Sequence, residues 1–187
     1  MVQDTVKTVL YSFLLLFFVG EISCSSSAGE GGSSPGVGIS GREAFRRGIG
    51  ALKAKRYSTA VSWFKRAEQL GFARCHTLTG QGLALSGMGK LEQAKRRFTR
   101  AITANPNLPE PWIRRGLILH HQDNYGAALS DFNRGVALAP GHALGLMGRS
   151  FTLNSLKRYG EALRDARAAQ RAGAVLPLGY MAALKAR

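Results

Sequence analysis

The chain has 187 residues, 45% of them hydrophobic and only six of them proline, a composition ordinary for a folded protein. Its 26 Lys and Arg against 11 Asp and Glu leave a formal charge of +15, a field that attracts acidic proteins, anionic lipid or nucleic acid but sets no fold and names no partner. Two cysteines, Cys24 and Cys75, are too few for a disulfide framework.

In chain order, the first element is the apolar run TVLYSFLLLFFVG, Thr8 to Gly20, preceded by Lys7. It falls short of the roughly 20 residues a membrane-spanning helix needs and matches the apolar part of a signal peptide better. Residues 1–27 are therefore expected to be a signal peptide, with small residues around Ser23 to Ala28 supplying a cleavage site. An uncleaved membrane anchor and a hydrophobic tail that docks elsewhere are the alternatives. The expected locations are accordingly the secretory pathway, a membrane or the cytoplasm. Residues 28–40 are rich in Ser and Gly, bury no face, and predict a flexible linker.

From Gly41 the chain repeats itself. YSTAVSWFKRA at 57–67 returns as LEQAKRRFTRA at 91–101, YGAALSDFNRG at 125–135 and YGEALRDARAA at 159–169. The pivotal alanines Ala60, Ala94, Ala128 and Ala162 stand 34 residues apart, a period that announces an array of identical structural units. Helical patterns break near Arg56, Gly71, Gly89, Pro106, Asn124, Pro140, Arg158 and Gly173, which gives two helices per unit. Twelve positions before each alanine stands a small residue, Gly48, Gly82, Gly116 or Ser150. The expectation is that small faces small where the two helices of a unit cross. Phe64, Phe98 and Phe132 fill the space around the crossing, with Ala166 in that place in the fourth unit, so looser packing is expected there.

With Trp112, Gly116, Tyr125, Ala128, Phe132 and Pro140 in place in its third unit, the chain resembles the tetratricopeptide repeat family. The resemblance covers residues 41–176 as units 41–74, 75–108, 109–142 and 143–176, with 177–187 as a capping helix. It implies an all-α fold, a right-handed α-solenoid of tandem helix-turn-helix repeats, in which each unit buries its apolar face against the next. It also implies a noncatalytic scaffold that holds a partner peptide or helix in a concave groove lined by the first helix of each unit. Carried over position by position, the groove takes in Arg42, Phe45, Ile49, Lys53, Leu83, Ile113, Arg114, Leu117, Met147 and Phe151. Phe45, Ile113, Met147 and Phe151 are expected as apolar anchors, with Arg42, Lys53 and Arg114 steering an acidic ligand. The carboxylate clamp that some members use on chaperone tails is not expected, because Phe45, Ile49, Gly80 and Glu110 stand where its Lys and Asn residues belong.

Arg66, Arg100 and Arg134 recur at the same period and predict a basic stripe on the second helices. Lys or Arg is common there as a solvated helix end; a functional stripe would bind phosphates or lipid headgroups, making the chain a basic membrane-surface protein tethered by its N-terminal run. Nonspecific nucleic-acid binding is disfavoured, since no exposed aromatics interleave with the charge. His120 and His121 point about 100° apart on a helix and cannot share a metal without outside ligands. No nucleophile elbow, phosphate loop or acid pair is present; neither enzyme activity, cofactor nor metal is expected.

Overall fold

The computed structural model describes residues 38–187, so the signal-peptide reading and nearly all of the linker reading lie outside the described residues. Eight helices form four hairpins: α1 Gly41–Lys53 with α2 Tyr57–Gln69, α3 Arg74–Gly87 with α4 Leu91–Ala104, α5 Pro109–His121 with α6 Tyr125–Leu138, and α7 Ala143–Ser155 with α8 Tyr159–Arg171. A short ninth, α9 Tyr180–Lys185, packs on α8. No strand occurs among the described residues.

Local chemistry sets the helix ends. The Ser40 hydroxyl accepts a hydrogen bond from the Glu43 amide at 3.1 Å, satisfying one of the orphan donors at the start of α1. Asn124 and His142 do the same for Ala127 and Gly145 at the starts of α6 and α7. Pro109 opens α5, where its missing amide costs nothing. The turn inside every hairpin places one residue in the left-handed region: Lys55, Gly89, Asp123 and Lys157, at φ between 57° and 73°. Arg56 and Lys55 then donate back to Ala51 and Leu52, the bonds that close a helix around such a residue.

The core differs from expectation at the hairpin crossing. A Cβ added to Gly48, Gly82 or Gly116 would come within 2.7, 2.6 and 3.1 Å of the rings of Phe64, Phe98 and Phe132 respectively. Gly48, Gly82 and Gly116 therefore each lie nearest a phenylalanine ring, with the alanines twelve residues on fully buried; in the fourth unit the small pair meets directly, Ser150 on Ala162. Gly80 and Gly148 receive the other side of Phe64 and Phe132, so each of those rings lies between glycines of two successive units. Burying such a ring contributes about 2–3 kcal/mol, and here it joins neighbouring hairpins as well as the two helices of one.

The fourth unit is also tighter than expected. Ser150 stands in the glycine's place and donates to the Ala162 carbonyl at 2.7 Å. Its hydroxyl lies 3.0 Å from that of Tyr180, brought in by α9, and the Tyr180 ring meets Phe151 edge-on at 4.8 Å. Tyr180 thus supplies the large aromatic that Ala166 does not.

Candidate functional site

Each second helix packs against the first helix of its own hairpin and against that of the next, while first helices of successive hairpins touch one another only lightly. That arrangement puts α1, α3, α5 and α7 on the inside of the array and α2, α4, α6 and α8 on the outside.

The inner surface is not the apolar groove expected from sequence. Phe45, Leu83, Ile113, Leu117, Met147 and Phe151 are all buried, between 0% and 6% exposed. Phe45 stacks on Phe64 and Phe72 and meets the His76 ring of the next unit. Ile113 lies in the hollow offered by Gly135 and Gly145, and Leu117 reaches the Gly148 backbone. Each first helix packs against the second helix of its own hairpin and, after the first unit, that of the preceding one, so these side chains become part of the seam between units, which removes them from an incoming ligand. Of the ten groove residues inferred from sequence, Arg42 and Lys53 are exposed and Ile49 is half-buried against the core.

What remains exposed or half-buried on the inner surface is two rows of mostly polar residues, each with a 34-residue period. One carries Arg42, His76, Glu110 and Leu144; the other Lys53, Gly87, His121 and Ser155. Arg114, one turn after Glu110 on α5, does not steer ligands as expected, because its side chain is buried and its Nε donates to Glu110 at 2.6 Å. His142 lies 3.1 Å from the other Glu110 oxygen. Burial alone would raise the Glu110 carboxyl, yet the Arg114 charge and the hydrogen bond with His142 outweigh it and hold the group down to about 2. Deeper in the seam His120 Nδ1 meets the Thr152 hydroxyl at 2.9 Å, and the buried Ser86 hydroxyl has no hydrogen-bond partner in the structure. Among the described residues no three His, Cys, Asp or Glu gather as they would around a metal.

On the outer side, Arg66, Arg100 and Arg134 are all exposed, and Arg134 also reaches the Asn107 side chain at 3.3 Å. Trp63 is half-buried under the Arg47 guanidinium, whose carbon lies 5.1 Å from the ring centroid. Sequence reasoning passed over a second charged series. Arg115 grips Asp131 with two hydrogen bonds, and Arg149 grips Asp165 in the same way 34 residues later. Both guanidiniums also reach back to the preceding hairpin, to Thr99 and to Asn133. The matching recurrence of Arg at 115 and 149 and of Asp at 131 and 165 was the available signal.

Residues 79–143 match the sequence model of the tetratricopeptide repeat family. No curated protein matches the chain in sequence. Solved structures share the fold. MamA from Desulfovibrio magneticus RS-1 is 18% identical and superposes with a TM-score of 0.62 over 73% of this chain and 77% of its own. YrrB, described as a TPR protein with an unusual peptide-binding site, is 22% identical, with a TM-score of 0.58 over 78% and 73%. The first TPR domain of Spaghetti (RPAP3), solved with an HSP90 peptide, is 21% identical, with a TM-score of 0.52 over 60% and 86%. At these identities the likeness is one of fold. Residues 79–143 thus match tetratricopeptide repeats in sequence, and the same hairpin array continues on both sides of them, from Gly41 to Arg171.

Proposed function

We propose that this chain is a noncatalytic adaptor that holds a segment of a partner protein along its inner face, between the two polar rows. The observation that carries this reading is the pair of rows itself: with the apolar positions withdrawn into the seam, the inner face keeps Arg42, Lys53 and His121 exposed and His76, Glu110 and Ser155 half-buried. Such a surface suits an extended segment with acidic side chains toward the α1 end and hydrogen-bonding groups elsewhere. Peptide binding by two fold neighbours, as their descriptions state it, supports a peptide-sized occupant in general. It does not support the chaperone-tail mode, since Glu110 places a carboxylate, already committed to Arg114, in the inner row.

A phage-displayed peptide library selected on the full chain tests the reading. Enrichment of acidic peptides whose affinity falls about tenfold or more in an Arg42→Glu, Lys53→Glu variant supports it, since reversing the charge of such rim contacts weakens an acidic ligand. Selected peptides that bind this variant as well as the parent overturn it.

A further inference from the structure

We infer that the outer face of the array is a docking surface for an anionic lipid bilayer, a role separate from the inner-face reading. Residues 41–187 hold 25 Lys and Arg against 8 Asp and Glu, a surplus of 17 positive charges. The structure shows where the surplus goes. Seven of those acids lie in ion pairs: Glu43 with Arg46 and Arg47, Glu68 with Arg74, Glu92 with Lys95, Glu110 with Arg114, Asp131 with Arg115, Glu161 with Arg158, and Asp165 with Arg149. The eighth, Asp123, accepts a hydrogen bond from the Tyr125 hydroxyl. The acids are thus spent locally, on cations of which Lys95, Arg114, Arg115 and Arg149 are themselves largely covered.

Of the 17 Lys and Arg that stand outside these ion pairs, nine lie on α2, α4, α6 and α8. Arg66, Arg100 and Arg134 mark one row, with Lys65, Arg96, Arg164 and Arg167 beside it, all exposed. Large apolar side chains are missing from this face. The exposed ones among the described residues are Leu70, Met88, Leu156, Val175 and Leu178, in the connections between helices and in the segment before α9. Both tryptophans are half-buried with Arg47 and Arg115 over their rings, and no Phe, Tyr or Trp ring among the described residues is fully exposed for bases to stack on.

That combination selects the occupant. A protein partner of useful affinity needs buried apolar or aromatic anchors, and single-stranded nucleic acid needs stacking platforms; this face has neither. A fluid sheet of anionic headgroups needs only charge, because lipids move laterally to meet each guanidinium, at roughly a factor of five in binding per basic residue near the surface. Where the apolar run at Thr8 to Gly20 is kept as an anchor instead of being removed as a signal peptide, it strengthens this docking, since a basic patch and an apolar segment together anchor more firmly than either alone.

The test is co-sedimentation of the full chain with vesicles of phosphatidylcholine alone and of phosphatidylcholine with phosphatidylserine. Two triple variants carry the same change in charge: Arg66→Gln, Arg100→Gln, Arg134→Gln on the outer face, and Arg56→Gln, Lys90→Gln, Lys185→Gln at exposed sites away from it. The expected result is serine-lipid-dependent binding that disappears in high salt, falls about 100-fold in the outer-face variant, and largely persists in the other. Binding to neutral vesicles through the apolar run is expected to be equal in all three proteins. Equal binding to both vesicle types by the parent, or equal loss in both variants, overturns the proposal. So does a single-stranded oligonucleotide that binds through the same three arginines more tightly than the vesicles. The Arg42→Glu, Lys53→Glu variant should retain its lipid binding, so failure of the inner-face reading and failure of this one are distinguishable.

Discussion

The Arg115 guanidinium holds the Asp131 carboxylate by two hydrogen bonds of 2.7 and 2.8 Å, and its third nitrogen reaches Thr99 of the preceding hairpin at 3.1 Å. Asp131 is 4% exposed, so its charge is tolerated only because this partner faces it. Arg149 repeats the arrangement with Asp165 and Asn133. The contact is both a brace within a hairpin and a link between hairpins.

Arg115→Ala should therefore cost about 3 kcal/mol or more, since it leaves a buried carboxylate without its counter-charge. Adding Asp131→Asn in the same chain should return a large part of the loss, because the uncompensated charge goes with it. Urea midpoints for the two single variants and the double variant check this, and a double variant less stable than Arg115→Ala would show that the pair is not coupled.

The glycines make a sharper test because two of them predict opposite signs. Gly82→Ala would drive a methyl to 2.6 Å from the Phe98 ring, and overpacking of this kind costs about 1–3 kcal/mol. Gly50 sits in the interior of α1 with nothing within 4 Å of an added Cβ. Gly50→Ala should be neutral or stabilising by about 0.5–1 kcal/mol through helix propensity alone. Ala128→Leu, at a fully buried site, should fall with Gly82→Ala. Thermal melts of the three variants should order them in that way.

The repeat frame was legible in the sequence because its period is fixed by side chains that can occupy only one kind of place: phenylalanine on glycine, alanine in a seam. Which small residue faced which large one was not legible, since spacing along a chain places residues on a face without saying what crosses it. For the same reason Phe45, Ile113 and Phe151 read as groove residues. A one-helix view shows them pointing inward, and only the next unit, packed against them, shows that they are covered. Arg115 and Asp131 escaped because charged residues on a helix read as solvated, and nothing within one unit says that sixteen residues bring them together. Arg42 and Lys53 kept their expected exposure because no preceding hairpin among the described residues covers α1.

Unit four depends on a residue outside the 34-residue pattern. Tyr180 is 2% exposed, its hydroxyl meets Ser150, and burial pushes its own ionisation upward. Tyr180→Ala should cost about 3–5 kcal/mol, the usual range for removing a buried aromatic. The loss should appear first as faster amide exchange in α7 and α8, because stability in an array is passed between neighbours. Tyr180→Phe should cost only about 1 kcal/mol, since Ser150 keeps its bond to the Ala162 carbonyl. Uniform exchange across all four units in Tyr180→Ala would contradict a capping role.

Glu110 ties inner-face chemistry to acid stability. Its carboxyl is held at about 2 against an ordinary value of 4.5, because the Arg114 charge and the His142 hydrogen bond overcome the upward push of burial. A carboxyl whose folded value is depressed binds fewer protons folded than unfolded, so the unfolded chain is favoured as acid is added. The stabilisation from this group is therefore complete above about pH 5 and is lost as the pH falls from 4.5 toward 2. Its size is on the order of 2–3 kcal/mol, since each tenfold change in proton affinity is worth about 1.4 kcal/mol and the side chain is partly open to water. Glu110→Gln should be less stable at neutral pH, where buried Arg114 loses its counter-charge, and the gap to the parent should narrow through that acid window until the two converge. Subtracting the two pH profiles of the urea midpoint cancels the exposed acids common to both and isolates Glu110. A gap that stays constant from neutral pH down to pH 2 would mean that the Arg114 and His142 contacts do not hold the carboxylate in its charged form.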